Sequence, residues 1–240
     1  GNCKGLPFSA IVIDEVHILY DWGDSIRDAY LYIDKHEKLL RKINPELRTI
    51  FLTATLTPRE ETELIEQKFK RDKELVKRVR DTTVRKDLAF SMIIDYEQNI
   101  EAASETIWRE YARNIPNRYK SKSPLLIYPF RPDDCDRIAK HLRSMVGRKN
   151  IEIYSGKTPK GSRKKILKKF QNNEIKLLVA TSAFGMGVNK SDVWMIGYVG
   201  MPGTLRELYQ SFGRAARGSG WDRNNRSKKN GNCIAIIPGR

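Results

Sequence analysis

The sequence predicts an α/β fold with mainly parallel sheets, and three observations carry that expectation. Short apolar runs alternate with stretches of helical periodicity, the rhythm of βαβ units. The first run ends on an acidic pair, Asp14 and Glu15, and in open parallel sheets ligands bind beyond the carboxyl ends of the strands. A charged stretch from Arg80 to Asp87 then interrupts the alternation, which restarts with AFSMIID; this sets an expected division into residues 1–82 and 83–240.

Taken in order, Ala10 to Ile13 is a strand, Asp24 to Ile43 a helix and Thr49 to Leu52 the next strand. Thr57, Pro58 and Glu60 spell a capping box with proline at the first helical position, so a helix is expected from there to about Lys70. Leu75 to Val79 is a candidate short strand. Beyond the division, a helical pattern runs through Trp108 and a polar loop spans Asn114 to Pro124. Strands are expected at Leu125 to Tyr128, Ile151 to Tyr154, Lys176 to Ala180, Trp194 to Val199 and Cys233 to Ile237. Helices are expected at Asp133 to Met145, Pro159 to Gln171 and Leu205 to Ala216, the last opened by a second capping box of Thr204 and Glu207.

The 240 residues are 40% hydrophobic, enough for one large or two modest domains with real cores. Lys and Arg outnumber Asp and Glu by 45 to 29, a net charge of +16, which makes a polyanion the leading class of partner. Charge alone does not separate DNA, RNA and anionic lipid. No apolar run approaches the roughly 20 residues that span a bilayer, and GNCKG lacks the apolar core of a signal peptide. The expectation is a soluble cytoplasmic or nuclear protein without a membrane partner. Cys3, Cys135 and Cys233 stand apart from one another and from any histidine spacing that would bind zinc.

A strand ending in Asp-Glu suits nucleotide hydrolysis, because Mg²⁺ on a polyphosphate takes hard oxygen ligands and the attacking water needs orienting. Asp14 would serve the metal, through water, and Glu15 the water that attacks. Downstream, Thr53 and Thr55 place hydroxyls beside a helix start, as a relay or as turn chemistry. Gly185 and Gly187 follow a buried strand, where missing side chains let backbone amides approach phosphate. In YQSFGRAARGS, Gln210, Arg214 and Arg217 are spaced four and three apart, hence on one face of the expected helix. Arginines so aligned make surface salt bridges, or act as fingers on a phosphate held by another domain.

In this order the segments resemble the motifs of superfamily two helicases over essentially the whole chain. DEVH at Asp14 to His17 is similar to motif II, TAT at Thr53 to Thr55 to motif III, and LLIYPFRP at Leu125 to Pro132 to motif IV. ATSAFGMGVNK at Ala180 to Lys190 is similar to motif V, and QSFGRAAR at Gln210 to Arg217 to motif VI. AFGMGVNKSDV and the DWGDSIRDAY segment resemble the RecQ-like DNA helicases, whose aromatic-rich loop couples single-stranded DNA to ATP hydrolysis. Trp22, Arg27 and Tyr30 match that loop, with Ile26 and Asp28 where the family has Phe and Pro. Ala216 and Gly218 stand where motif VI usually has Gly and Asp.

The resemblance implies tandem RecA-like lobes, residues 1–82 belonging to the first and 83–240 forming the second. It implies ATP and Mg²⁺ at the lobe interface, 3′ to 5′ movement, and single-stranded or forked DNA as the partner. Glu15, Gln210, Arg214 and Arg217 take the catalytic roles, while Asp14, Gly187 and Asn189 face the nucleotide and metal. His17, Thr53 and Thr55 couple the sites, and Trp22, Arg27, Tyr30, Arg131, Thr181 and Gly185 face nucleic acid. Trp22 fits two roles equally, a base-stacking platform or a plug between lobes.

No GxxxxGK[ST] loop occurs in the sequence. The phosphate-holding Lys and Ser/Thr are therefore expected upstream of Gly1, with the first lobe truncated and the 240-residue chain alone inactive. The four clustered cysteines of the RecQ zinc module are absent as well. Rival expectations are an RNA helicase, against which the Trp22 to Tyr30 segment argues, and a noncatalytic nucleic-acid-binding subunit. The lysines of KGSRKKILKKF are a solvated helix face or a nonspecific phosphate track.

Overall fold

The computed structural model describes residues 8–21, 24–68, 76–80, 85, 87–97, 99–117, 120, 122–181, 184, 190, 192–216 and 231–238. It divides into two compact units, Gly1–Thr82 and Thr83–Arg240.

In the first unit, β1 (Ala10–Ile13) pairs in parallel with β2 (Arg48–Phe51), Ala10 opposite Arg48 and Ile13 opposite Phe51. Parallel strands need a crossover, supplied here by α1 (Ile18–Asp21) and α2 (Asp24–Ile43). A small core of Ile13, Val16 and Leu64 forms with Tyr20, Ile33, Phe51 and Leu56 packed against it. The buried Glu37 carboxylate of α2 accepts from Arg41 Nε at 3.0 Å and from the Thr49 hydroxyl, which ties the helix to β2.

Helix α3 (Pro58–Glu63) opens on the expected capping box: Thr57 Oγ1 accepts from Glu60 N, and Glu60 Oε2 accepts from Thr57 N at 2.8 Å. Its last turn widens into π geometry over Leu64–Lys68, where Leu64 and Ile65 are buried. Residues 76–80 carry no regular structure, so the strand expected at Leu75 to Val79 is not formed there. Arg78 and Arg80 instead pair with Glu61.

The second unit is a six-stranded sheet in the order β3-β8-β7-β4-β6-β5, with every neighbouring pair parallel. The strands are β3 (Leu88–Asp95), β4 (Leu125–Pro129), β5 (Ile151–Tyr154), β6 (Leu177–Ala180), β7 (Met195–Val199) and β8 (Gly231–Pro238). The three central strands β4, β6 and β7 are buried along their whole length, as continuous apolar runs in a parallel sheet must be. Helices α4 (Ile100–Asn114) and α5 (Asp134–Val146) cover one face through Ile107, Tyr111, Ile138 and Leu142. Helices α6 (Lys160–Gln171) and α7 (Leu205–Phe212) cover the other through Ile166, Phe170, Leu208 and Phe212.

Polar seams are satisfied inside this core. Ser123 Oγ accepts from Trp194 N at 2.6 Å, and the Tyr111 hydroxyl donates to the Ser123 carbonyl. Burial pushes the Tyr111 phenol up to about 12. The Cys135 and Cys233 thiols are free and buried, and desolvation pushes each up to about 12.

Helix α7 ends earlier than its sequence pattern predicts. Gly213 N donates to Tyr209 O, Arg214 N to Ser211 O and Ala215 N to Phe212 O, and Ala216 turns into the left-handed region at φ 55. Arg214 therefore lies in the turn after α7, so Gln210 and Arg214 do not share the expected helical face, and Arg217 lies outside the described residues. The second capping box is half made. Thr204 Oγ1 accepts from Glu207 N at 3.0 Å, but the Glu207 carboxylate accepts from Gly203 N and from the Tyr198 hydroxyl, each at 3.3 Å.

Candidate nucleotide and nucleic-acid site

In the first unit the candidate residues gather where β1 ends. Asp14 and Glu15 are exposed, and Asp14 Oδ1 accepts from Glu15 N at 2.9 Å. Glu15 takes a left-handed φ of 52, which costs a side chain with a Cβ about 1–2 kcal/mol. Such strain at a strand end is the mark of a side chain aimed for a purpose. The turn closes with Ile18 N donating to Glu15 O at 3.0 Å and sends the chain into α1.

The same turn inserts His17 into the core edge, 4% exposed. His17 Nδ1 lies 3.2 Å from Glu15 Oε2 and 3.0 Å from Thr53 Oγ1. The parallel ladder brings these together, because it continues past β1: Leu52 N donates to Ile13 O at 2.8 Å and Val16 N to Leu52 O at 3.1 Å. Thr53 Oγ1 also receives Thr55 N at 3.4 Å. The acid, the imidazole and the TAT segment thus form one connected chain of polar groups.

Arg27 and Tyr30 stand in the first turns of α2, so the backbone there is helix where the resemblance implies a loop. Trp22 lies outside the described residues, as do Gly185, Gly187, Asn189 and Arg217.

In the second unit, neighbouring strands β4 and β7 send their connections in opposite directions, to β5 and to β8, and in open parallel sheets ligands bind at the carboxyl ends of such a switch point. Arg131 is exposed just past β4, and its carbonyl accepts from Asp134 N at 3.0 Å at the start of α5. Gly200, just past β7, has a φ of 100, and a Cβ there would lie 2.7 Å from Phe130 Cβ. Thr181 follows β6, its N–H donating to Tyr154 O at 3.0 Å. Among the described residues its buried Oγ1 has no hydrogen-bond partner. Gln210 and Arg214 are both partly exposed.

Two residues that sequence reasoning passed over hold the edges of this site. Lys190, 7% exposed, donates to Asn173 Oδ1 at 2.6 Å and pairs with Asp192 at 2.7 Å. Its ammonium also reaches the carbonyl of Gln171 at the end of α6 and anchors the exit of the glycine-bearing segment. Arg85 forks onto Asp87 at 2.8 and 2.7 Å and onto the carbonyls of Ala215 and Ala216 at 3.1 and 3.2 Å. Its only sequence signal is the acid two residues later, inside a stretch that reads as a linker.

An all-parallel α/β unit with basic and hydroxyl side chains beyond its strand ends is the architecture of a RecA-like helicase lobe. Residues 108–219 match the helicase conserved C-terminal domain. The chain is 29% identical over 209 residues to the ATP-dependent DNA helicase Q-like 2 of Arabidopsis thaliana, covering 87% of this chain and 28% of that protein. It is 28% identical over 219 residues to the ATP-dependent DNA helicase RecQ of Bacillus subtilis, covering 89% and 33%.

Among solved structures, the helicase MrfA bound to DNA and AMPPNP superposes with a TM-score of 0.66 at 19% identity, covering 97% of this chain and 30% of that one. Over most of its length the chain is similar to RecQ-type DNA helicases, and residues 108–219 are similar to the C-terminal domain that helicases share. It spans a third or less of the length of the two curated relatives.

Proposed function

We propose that the full-length protein is an ATP-dependent DNA helicase or translocase of RecQ type, moving 3′ to 5′ on single-stranded or forked DNA in the cytoplasm or nucleus. The first unit belongs to one RecA-like lobe and the second to its partner lobe. The observation that carries the reading is the contact chain Glu15–His17–Thr53, with His17 Nδ1 within 3.2 Å of both partners. It gives the carboxylate that orients water a direct mechanical link to the motif III hydroxyl. A shift of the Glu15 carboxylate must move the buried imidazole, and the imidazole must move Thr53.

Among the described residues no group of three or more His, Cys, Asp or Glu side chains is placed to hold a metal ion. One exposed carboxylate at a strand end still fits Mg²⁺, which keeps several waters and binds mainly through substrate phosphates. Asp14 would hold it through water, and the ion would neutralise charge building on the phosphates. Glu15 orients the attacking water. Arg214, and Arg217 which follows Ala216 in the sequence, present guanidinium groups to the phosphate, and Gln210 shares that role. Gly187 and Asn189 face the nucleotide. Thr181, Arg131, Gly185, Trp22, Arg27 and Tyr30 face the DNA strand; the Thr181 hydroxyl, without a partner among the described residues, supports a ligand that accepts from it.

The test is ATP turnover by the full-length protein with single-stranded DNA or RNA, followed by unwinding of duplexes with a 3′ or a 5′ overhang. DNA-stimulated turnover and selective unwinding from the 3′ overhang are expected. Equal stimulation by RNA would make it an RNA helicase, and nucleic-acid binding without turnover would make it a binding subunit.

A further inference from the structure

Motif VI arginines work only if the main chain that carries them is held, and here that chain is an irregular turn. Gly213–Ala216 leaves α7, and Ala216 takes a positive φ of 55 although alanine gains nothing from that region. Three hydrogen bonds hold it there. Ala216 N donates to Val193 O at 2.9 Å, and the carbonyls of Ala215 and Ala216 both accept from Arg85 Nη2.

We propose that Arg85 is a positioning residue for the motif VI turn: its guanidinium, oriented by Asp87, caps the Ala215 and Ala216 carbonyls and so fixes the direction in which Arg214 is presented. The inference rests on the reading of Arg214 as a phosphate-facing residue. The fork is built from both sides. Asp87 occupies Nε and Nη2 in the bidentate arrangement that only arginine offers. The hydrogen bond to Arg85 holds the Asp87 carboxyl below its ordinary range, and the same bond raises the guanidinium. Asp87 is pinned in turn, since its carbonyl accepts from Gly231 N at 3.1 Å at the start of β8. A lysine would bring the charge and as many N–H donors, but not the planar Nε–Nη2 edge that meets both Asp87 oxygens while Nη2 reaches the carbonyls.

The experiment compares Arg85→Ala, Arg85→Lys, Arg214→Ala and the double variant Arg85→Ala/Arg214→Ala in the full-length protein. DNA-stimulated kcat, KM for ATP, single-stranded DNA affinity and the unfolding midpoint are measured for each. A displaced catalytic group of this kind loses about 10- to 100-fold in rate. Arg85→Ala should therefore lose about that much kcat, with KM and DNA affinity within about threefold, and the double variant should be no slower than Arg214→Ala alone. Arg85→Lys should fold as wild type yet recover little of the rate; it decides the matter if the alanine variant unfolds. Wild-type turnover in folded Arg85→Lys and Arg85→Ala, or losses that multiply in the double variant, would overturn the role of Arg85. Wild-type turnover in Arg214→Ala would instead overturn the reading on which it rests.

Discussion

Two glycine-to-alanine changes should move the stability of the second unit in opposite directions. Gly200 sits past β7 at a φ of 100, and the added methyl would meet Phe130 Cβ at 2.7 Å. Adopting the left-handed region costs an L side chain about 1–2 kcal/mol, and forcing a methyl against a packed neighbour about 1–3 kcal/mol. The sum is about 2–5 kcal/mol, a large part of a domain's usual 5–15 kcal/mol. Gly161, in the first turn of α6, has nothing within 4 Å of the new methyl and no positive φ. Gly161→Ala should therefore add about 0.4–1 kcal/mol by restricting the unfolded chain. Urea unfolding read by circular dichroism and by tryptophan fluorescence reports the unit, because Trp194 is in its core and Trp108 packs against it. If Gly200→Ala were no less stable than Gly161→Ala, the close approach of the β4 and β7 ends would not exist as described.

Glu15→Gln in the full-length protein should bind ATP nearly as wild type while its steady-state turnover falls steeply, because the amide keeps the shape but loses the basicity of the carboxylate; parallel loss of binding and turnover would make Glu15 structural. Cys135 and Cys233 should label with iodoacetamide far more slowly in the native protein than as unfolded thiols, since both are buried and desolvation raises each thiol; peptide-resolved mass spectrometry of the two sites reads the rate. Asp87 is held below its ordinary value when folded, so the folded state binds fewer protons there and the contribution to stability is full above about pH 4. It should fade as pH falls through the depressed native value, and urea midpoints of wild type and Asp87→Asn measured down to about pH 2 should converge.

The repeating elements were legible because burial leaves a periodic trace. The strands of the second unit lie within one or two residues of their expected places, since β4, β6 and β7 are continuous apolar runs and the others are mainly apolar. The end of α7 was not legible, because Ala215 and Ala216 are strong helix formers. Only distant groups, the Val193 carbonyl and the Arg85 guanidinium, turn them out of the helix. Glu207 misled in the same way: its spacing from Thr204 fits a capping box, but the Tyr198 hydroxyl and Gly203 N–H take its oxygens. The resemblance gave His17 and Thr53 coupling roles, but the contact between them, 36 residues apart, has no local pattern in the sequence. The junction of Arg85 with Ala216, 131 residues away, left no periodic sign at all.

The first strand of the second unit, β3, finds its ladder partner only in the last, β8, with Leu88 opposite Gly231 and Asp95 opposite Pro238. During synthesis β3 therefore emerges 143 residues before the strand that will pair with it. Until then its apolar side chains Phe90, Met92 and Ile94, still exposed in the finished fold, sit on a strand with no hydrogen-bonded neighbour. Such long-range parallel pairing forms slowly and leaves an adhesive edge while it waits. Closing this pair is the step that joins the unit's beginning to its end, and a nascent chain stalled before Gly231 would carry a sheet with one strand waiting outside it.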